Sequence, residues 1–130
     1  MMTTGSKGLH VVIPIQPKHD FDQIRTFARE KAQQLVDKYP DKLTTQLAKE
    51  KRGNRVFLDY LRNAFGQTAV APYSLRAIEN APVATPLDWS EISSLDNAQK
   101  YNLSNIFRRL AQKQDPWQNL YKKKNTTISL

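Results

Sequence analysis

The run "GSKGLHVVIPI", from Gly5 to Ile15, constrains this chain more than any other stretch. Extended, it places Leu9, Val11, Ile13 and Ile15 on one face and His10, Val12 and Pro14 on the other. Both faces are mostly apolar, the pattern of a strand covered on two sides in an α/β core. Pro14 cannot donate to a ladder, so the strand is expected to end there or to lie at an edge. Such a strand needs neighbours, and the few residues before the loop are not expected to supply one.

The rest of the chain reads as mixed α and β in one compact piece. Residues 20 to 39 carry the clearest helix signal: Asp20 as N-cap, Gln23 completing a capping-box pattern, and Pro40 as the stop. Phe21, Ile24, Phe27, Ala28, Ala32, Leu35 and Tyr39 keep helical spacing and are expected to be core. A shorter helix is expected from about Leu43 to Lys49. After a basic turn at Gly53, "VFLDY" and "TAVAPYS" read as two strands, so that residues 55 to 74 form a pair. Asn80 to Pro86 reads as an extended connection. Two short helices follow, one near Asp88 to Leu95 and one capped by Ser104 with Ile106, Phe107, Leu110 and Ala111 inward. "DPW" starts a last turn, and residues 122–130 form a basic tail.

Composition narrows the class. The chain has 130 residues, 39% hydrophobic and 25% charged, which suits one folded domain. It has no cysteine, which excludes a disulfide framework and a cysteine-rich zinc site. No stretch approaches the roughly 20 apolar residues of a membrane span. The first residues resemble neither a signal nor a transit peptide, so a cytoplasmic protein without membrane contact is expected. Twenty Lys and Arg against twelve Asp and Glu give a net charge of +8, which favours a polyanionic partner, nucleic acid first.

Three places can carry chemistry. The opening loop offers glycines at 5 and 8, the hydroxyls of Thr4 and Ser6, and the Lys7 charge; it can cradle phosphate, or it can be a solvated turn. His10 and His19 have no partner spacing for a zinc site. Asp59 stands in an apolar string, either buried against a cation or metal or facing solvent at a strand end. Lys49, Lys51, Arg52 and Arg55 precede it and Arg76 follows. A carboxylate for Mg²⁺ or Mn²⁺ among cations for a triphosphate suits phosphoryl transfer, but one carboxylate is too few for two metals.

"TGSKGLHVVIPI", "KRGNRVFLDYLRNAFGQTAVAPYSLRA" and "APVATPLDW" closely resemble the polymerase domain of bacterial DNA ligase D, a member of the archaeo-eukaryotic primase superfamily that serves end joining of double-strand breaks. The likeness extends in order through most of the chain to "DPW". It implies a primase-polymerase-like α/β (α+β mixed) fold, with β-strands packed by helices, and a nucleotidyltransferase working on nucleoside triphosphates and DNA ends in nucleoid-associated repair. Position by position it implies that Thr4, Lys7 and His10 contact the incoming nucleotide's phosphates. Asp59 would be the catalytic, metal-binding aspartate that comes last of three, and Arg52 and Arg76 would contact phosphates. Ser74, in the same "PYSLR" string, would assist. Mn²⁺ or Mg²⁺ would be the cofactor.

The family domain is more than twice this length, and its paired D-x-D ligands lie on a strand before the lysine-bearing loop. The only spaced aspartate pair here is Asp20 and Asp22, at a helix start after that strand. Residues 1–121 are therefore expected to correspond to the C-terminal half of the domain, inactive alone. Three readings stay open. A separately encoded N-terminal half could complete the site, the chain could be a degenerate remnant, or it could be a non-catalytic nucleic-acid-binding module. A missing half-core implies self-association or a partner-bound state.

Overall fold

The computed structural model describes residues 1–120; the basic tail at 122–130 lies outside them. Two compact units are present. One joins Met1–Gln16 to the chain from Val70 onward, and the other is Pro17–Ala69. The class is mixed, helices with small sheets, as the sequence leads one to expect.

The first unit is organised around the segment read from sequence as a mere connection. Residues 82–87 are all buried, and Ala84 and Thr85 are wholly inaccessible. A buried backbone must find partners for its polar groups. Thr3 and Thr85 exchange amide and carbonyl bonds at 2.9 and 3.3 Å. Ala84 receives from Tyr73 and donates to Ser74, Val83 donates to Tyr101, Pro82 accepts from Arg76, and Leu87 donates to Met1. Pro82 and Pro86 bring no N–H that would need a partner, so an irregular pairing tolerates them. Met2, Ala84 and Trp117 form the apolar centre, with Val70 and Leu120 against it.

The opening strand does have a neighbour, contrary to expectation. Met2–Thr3 (β1) pairs antiparallel with Leu9–His10 (β2), Met2 opposite His10. The expected strand through Ile15 is shorter, because the Met1 carbonyl that would continue the ladder accepts from Leu87 instead. Nor is it covered on two sides: Val11 is 63% and Ile13 56% exposed.

In the second unit the helix forms as its caps dictate. It spans Phe21–Lys38 (α1), and Asp20 and Gln23 make both bonds of the capping box. Its apolar face is not core, however. Only Ala32 is buried, while Phe21, Leu35 and Tyr39 are exposed. An 18-residue helix is about 27 Å long. It packs on the turn Leu61–Asn63 and on Leu43–Thr44 (β3), which are too short to cover it.

Other expectations fail for similar tertiary reasons. Leu43–Thr44 is not helical; it pairs in parallel with Val56–Phe57 (β4), because Lys42 and Thr44 accept from Val56 and Leu58. "TAVAPYS" is no partner for that strand, since Tyr73 turns at φ 63° and binds residue 84 of the first unit's centre. The 3₁₀ helix Trp89–Ser94 matches expectation. The last helix spans Ile106–Gln112 (α2) with Asn105, not Ser104, as its cap; Ile106 is buried, but Phe107 and Leu110 are exposed.

One ion pair fastens α2 to the 3₁₀ helix that follows the buried segment. Arg109 Nη1 and Nη2 lie 2.5 and 3.1 Å from the two Glu91 carboxylate oxygens, with side chains 10% and 16% exposed. The same guanidinium donates to Tyr101 Oη and the Pro86 carbonyl. Burial alone would push the Glu91 carboxyl up, but bonds from Arg109, the Asp88 amide and Lys113 outweigh it and hold it at about 2. Burial and the neighbouring Asp115 carboxylate likewise push the Tyr73 phenol up.

Removing one partner of a buried pair strands the other charge, so Glu91→Ala should cost about 3 kcal/mol or more in urea unfolding. Because the folded-state carboxyl titrates below its ordinary 4.5, the pair's contribution is complete above that pH. It is lost as pH falls toward about 2. The unfolding midpoint should drop over that window in the parent chain and drop less in Glu91→Gln.

Candidate phosphate-binding loop and carboxylate cleft

The loop between β1 and β2 is shaped by Thr4. Its hydroxyl donates to the Gly8 carbonyl at 2.8 Å and accepts from the Ser6 and Gly8 amides, both at 3.2 Å. A hydroxyl has one proton and two lone pairs, and here all three are used inside the loop. Thr4 thus holds the loop's form, and Lys7 stands exposed at its tip.

The two glycines differ. Gly5 is buried with φ +65°, and a Cβ there would lie 2.8 Å from Arg76 Cγ and 3.1 Å from the Ala84 nitrogen. Its smallness lets the loop back onto Arg76 and the central segment, a packing role that the sequence reading had given to ligand approach. A Cβ at Gly8 would meet nothing within 4 Å. Thr4, Lys7, His10 and Arg76 therefore belong to one unit, with the loop against Arg76; half-buried His10 sits in β2. Ser74 contributes its carbonyl to Ala84.

Arg52 and Asp59 belong to the other unit, where they line one open cleft with Leu47, Phe57, Arg62 and Gln67. Arg52 is held on three sides. Its Nε donates to the Gln46 carbonyl at 2.9 Å, Nη2 donates to the Leu47 carbonyl at 2.8 Å, and its guanidinium lies 3.8 Å from the centre of the Phe57 ring. Arg55 is spent on the carbonyls of Lys51 and Arg52.

Asp59 is exposed and lies just past the end of β4 rather than buried within a strand. Its Oδ1 accepts from the Leu61 amide at 3.0 Å, starting the 3₁₀ turn, and Oδ2 is 3.4 Å from Arg62 Nε. Among the described residues no group of three or more His, Cys, Asp or Glu could hold a metal ion. These residues alone therefore do not fit a two-metal centre. Arg62 and Phe57 were missed by sequence reasoning. Arg62 follows Asp59 by three residues, a spacing that could have signalled the pair; no sequence signal marked the Phe57 stack.

In one unit a lysine-bearing loop lies beside an arginine, a pairing that suits anions, and in the other a carboxylate and a held arginine line a cleft. The fold matches a solved structure, described as the polymerase domain from Mycobacterium tuberculosis ligase D in complex with DNA, with TM-score 0.84 and 30% identity. That match covers 94% of this chain and 42% of the solved one. The chain belongs to the LigD primase-polymerase domain family, whose model matches residues 1–117. Among curated relatives, the multifunctional non-homologous end joining protein LigD of Pseudomonas aeruginosa is 35% identical over 119 residues, 90% of this chain and 14% of that protein. The bifunctional non-homologous end joining protein LigD of Bacillus subtilis is 29% identical over 120 residues, 92% of this chain and 20% of that protein. No helix among the described residues is long and apolar enough to cross a membrane.

The contrast between the two glycines is testable. Gly5→Ala should lose about 1–2 kcal/mol from its left-handed backbone alone. The contact with Arg76 and residue 84 adds to that. Gly8→Ala should stay within about 0.5 kcal/mol of the parent in thermal or urea unfolding.

Proposed function

We propose that this chain supplies part of a DNA-repair nucleotidyltransferase of the ligase D polymerase type, contributing triphosphate contacts and one metal-binding carboxylate, and that it needs further carboxylates to act. The observation that carries the reading is the Lys7 loop: a side-chain-braced turn, backed by Gly5 onto Arg76, in a chain that matches the LigD primase-polymerase family. Lys7 and Arg76 neutralise phosphate oxygens, His10 contacts them from the strand side, and Thr4 keeps the loop in form. Arg52, stacked on Phe57, presents a fixed positive charge in the Asp59 cleft.

Asp59 is the residue that would hold Mn²⁺ or Mg²⁺, sharing it with acids outside the set described here. Bound there, the ion would supply charge neutralisation at the reacting phosphates. Asp20 and Asp22 are not those acids, because Asp20 caps α1 through the Gln23 amide. A further polypeptide segment carrying D-x-D, in the same or a separate chain, would supply them. Nucleoside triphosphate and DNA ends are the substrates on this reading. The exposed run Val11–Ile13 offers that segment, or a second copy of this chain, an apolar strip to pair with.

Purified alone, the chain should not extend a primer; mixed with a D-x-D-bearing family segment it should, and Asp59→Asn should abolish that extension. Extension by the chain alone, or an active Asp59→Asn mixture, would overturn the division of the site. In direct titration with a nucleoside triphosphate, Lys7→Ala and Arg76→Ala should each weaken binding by more than about 1 kcal/mol. Equal affinity in both variants would remove the loop from the site.

A further inference from the structure

The unit that carries the Lys7 loop has a second feature that the nucleotide contacts do not use. An open cleft beside α2 is lined by Lys100, Tyr101, Asn105, Arg108, Arg109, Gln112 and Lys113, with no acidic side chain among the described lining residues. Its floor is fixed. Arg109 is clamped by Glu91 and lies 4.4 Å from the Tyr101 ring, and Lys113 reaches Asp88 and Glu91 at 2.9 and 3.1 Å. Glu91 and Asp88 thus neutralise Arg109 and Lys113, and the surplus charge of the cleft is that of Lys100 and Arg108. Lys100 Nζ donates to the Ser94 carbonyl. The Arg108 guanidinium is exposed and takes no side-chain partner among the described residues.

The position of this cleft in the fold matters as much as its charge. Gln99, next to Lys100, donates from its side-chain amide to the Ser6 carbonyl at 3.3 Å, and Ser6 precedes Lys7. Tyr101 accepts from Val83 in the central segment, the same segment on which Gly5 rests. The cationic cleft therefore begins one residue from a contact with the loop, on a shared rigid support. Two cations without an acidic partner among the described residues, Lys100 and Arg108, and a side-chain amide along an open cleft suit an extended polyanion better than a compact ligand.

We propose that the cleft of Lys100, Arg108 and Gln112 is a seat for the phosphodiester backbone of DNA, separate from the triphosphate contacts of Lys7 and Arg76. The choice of DNA rests on the nucleotidyltransferase reading; the seat itself rests on the cleft. Contacts are to phosphate, so the seat reads no sequence and its affinity is steeply salt-dependent.

The test titrates the full chain into a fluorescent duplex oligonucleotide with a 3′ overhang over a series of salt concentrations. Lys100→Gln/Arg108→Gln should bind about tenfold more weakly, with the slope of log affinity against log salt smaller by about 2, one per lost phosphate contact. Arg108→Gln alone, which breaks no described contact, should show about half the slope change. Triphosphate binding by both variants should equal the parent's. Parent-like DNA affinity and slope in the double variant would overturn the proposal, as would a parent chain that binds no DNA at low salt. So would a variant that keeps DNA but loses a protein partner, which would make the cleft a protein-docking surface. Cleft-dependent DNA binding in a chain that binds no triphosphate would support the seat while removing the nucleotidyltransferase reading.

Discussion

The first unit depends on satisfying the backbone of residues 82–87. Six consecutive residues are buried; the backbone groups that answer them come from Met1, Thr3, Tyr73, Ser74, Arg76 and Tyr101, and the Arg109 guanidinium answers the Pro86 carbonyl. Three of those partners reach charged side chains. Thr3 leads into the loop with Lys7, Arg76 is the cation behind that loop, and Tyr101 touches the Arg109–Glu91 pair. An unpaired buried amide costs about 1–3 kcal/mol, so these strands of chain are held in register by the requirement that none be left over. The position of the charged side chains follows from the backbone bonds beneath them.

The second unit is built differently. It leans on one long helix with a complete capping box, two short parallel strands, and side chains bonded to loop carbonyls. Arg52 and Arg55 together engage four carbonyls at residues 46, 47, 51 and 52, so the basic turn is pinned by its own cations. This leaves fewer free charges near Asp59 than the composition of "KEKRGNR" suggests. Several apolar side chains stay exposed, among them Phe21, Leu35 and Phe65.

Local signals were legible in the sequence, and long-range ones were not. Asp20, Gln23 and Pro40 delimited α1 because capping is settled within a few residues. The motif strings around Lys7, Asp59 and Arg76 disclosed the family for the same reason: they are contiguous. By contrast, helical spacing made Phe21 and Leu35 look like core, since periodicity reports a face and not whether anything covers it. Residues 82–87 looked like a connection because prolines disfavour regular ladders, yet an irregular centre needs fewer donors. The parallel pairing of Thr44 with Phe57 overrode the local helical tendency at Leu43. Thr4 and Asp59 were found by motif, but their use as internal braces could be seen only once the Gly8 carbonyl and the Leu61 amide were placed.

The pairing of Thr3 with Thr85 joins positions 82 residues apart, and the entire second unit lies between them in the chain. Closing so long a loop is slow compared with forming α1, whose bonds are all local. During synthesis the inserted unit therefore matures while the backbone of Met1 and Thr3 waits for its partners at residues 85 and 87 to leave the ribosome. The interval in which this chain is most prone to mispairing is thus written into its order of assembly.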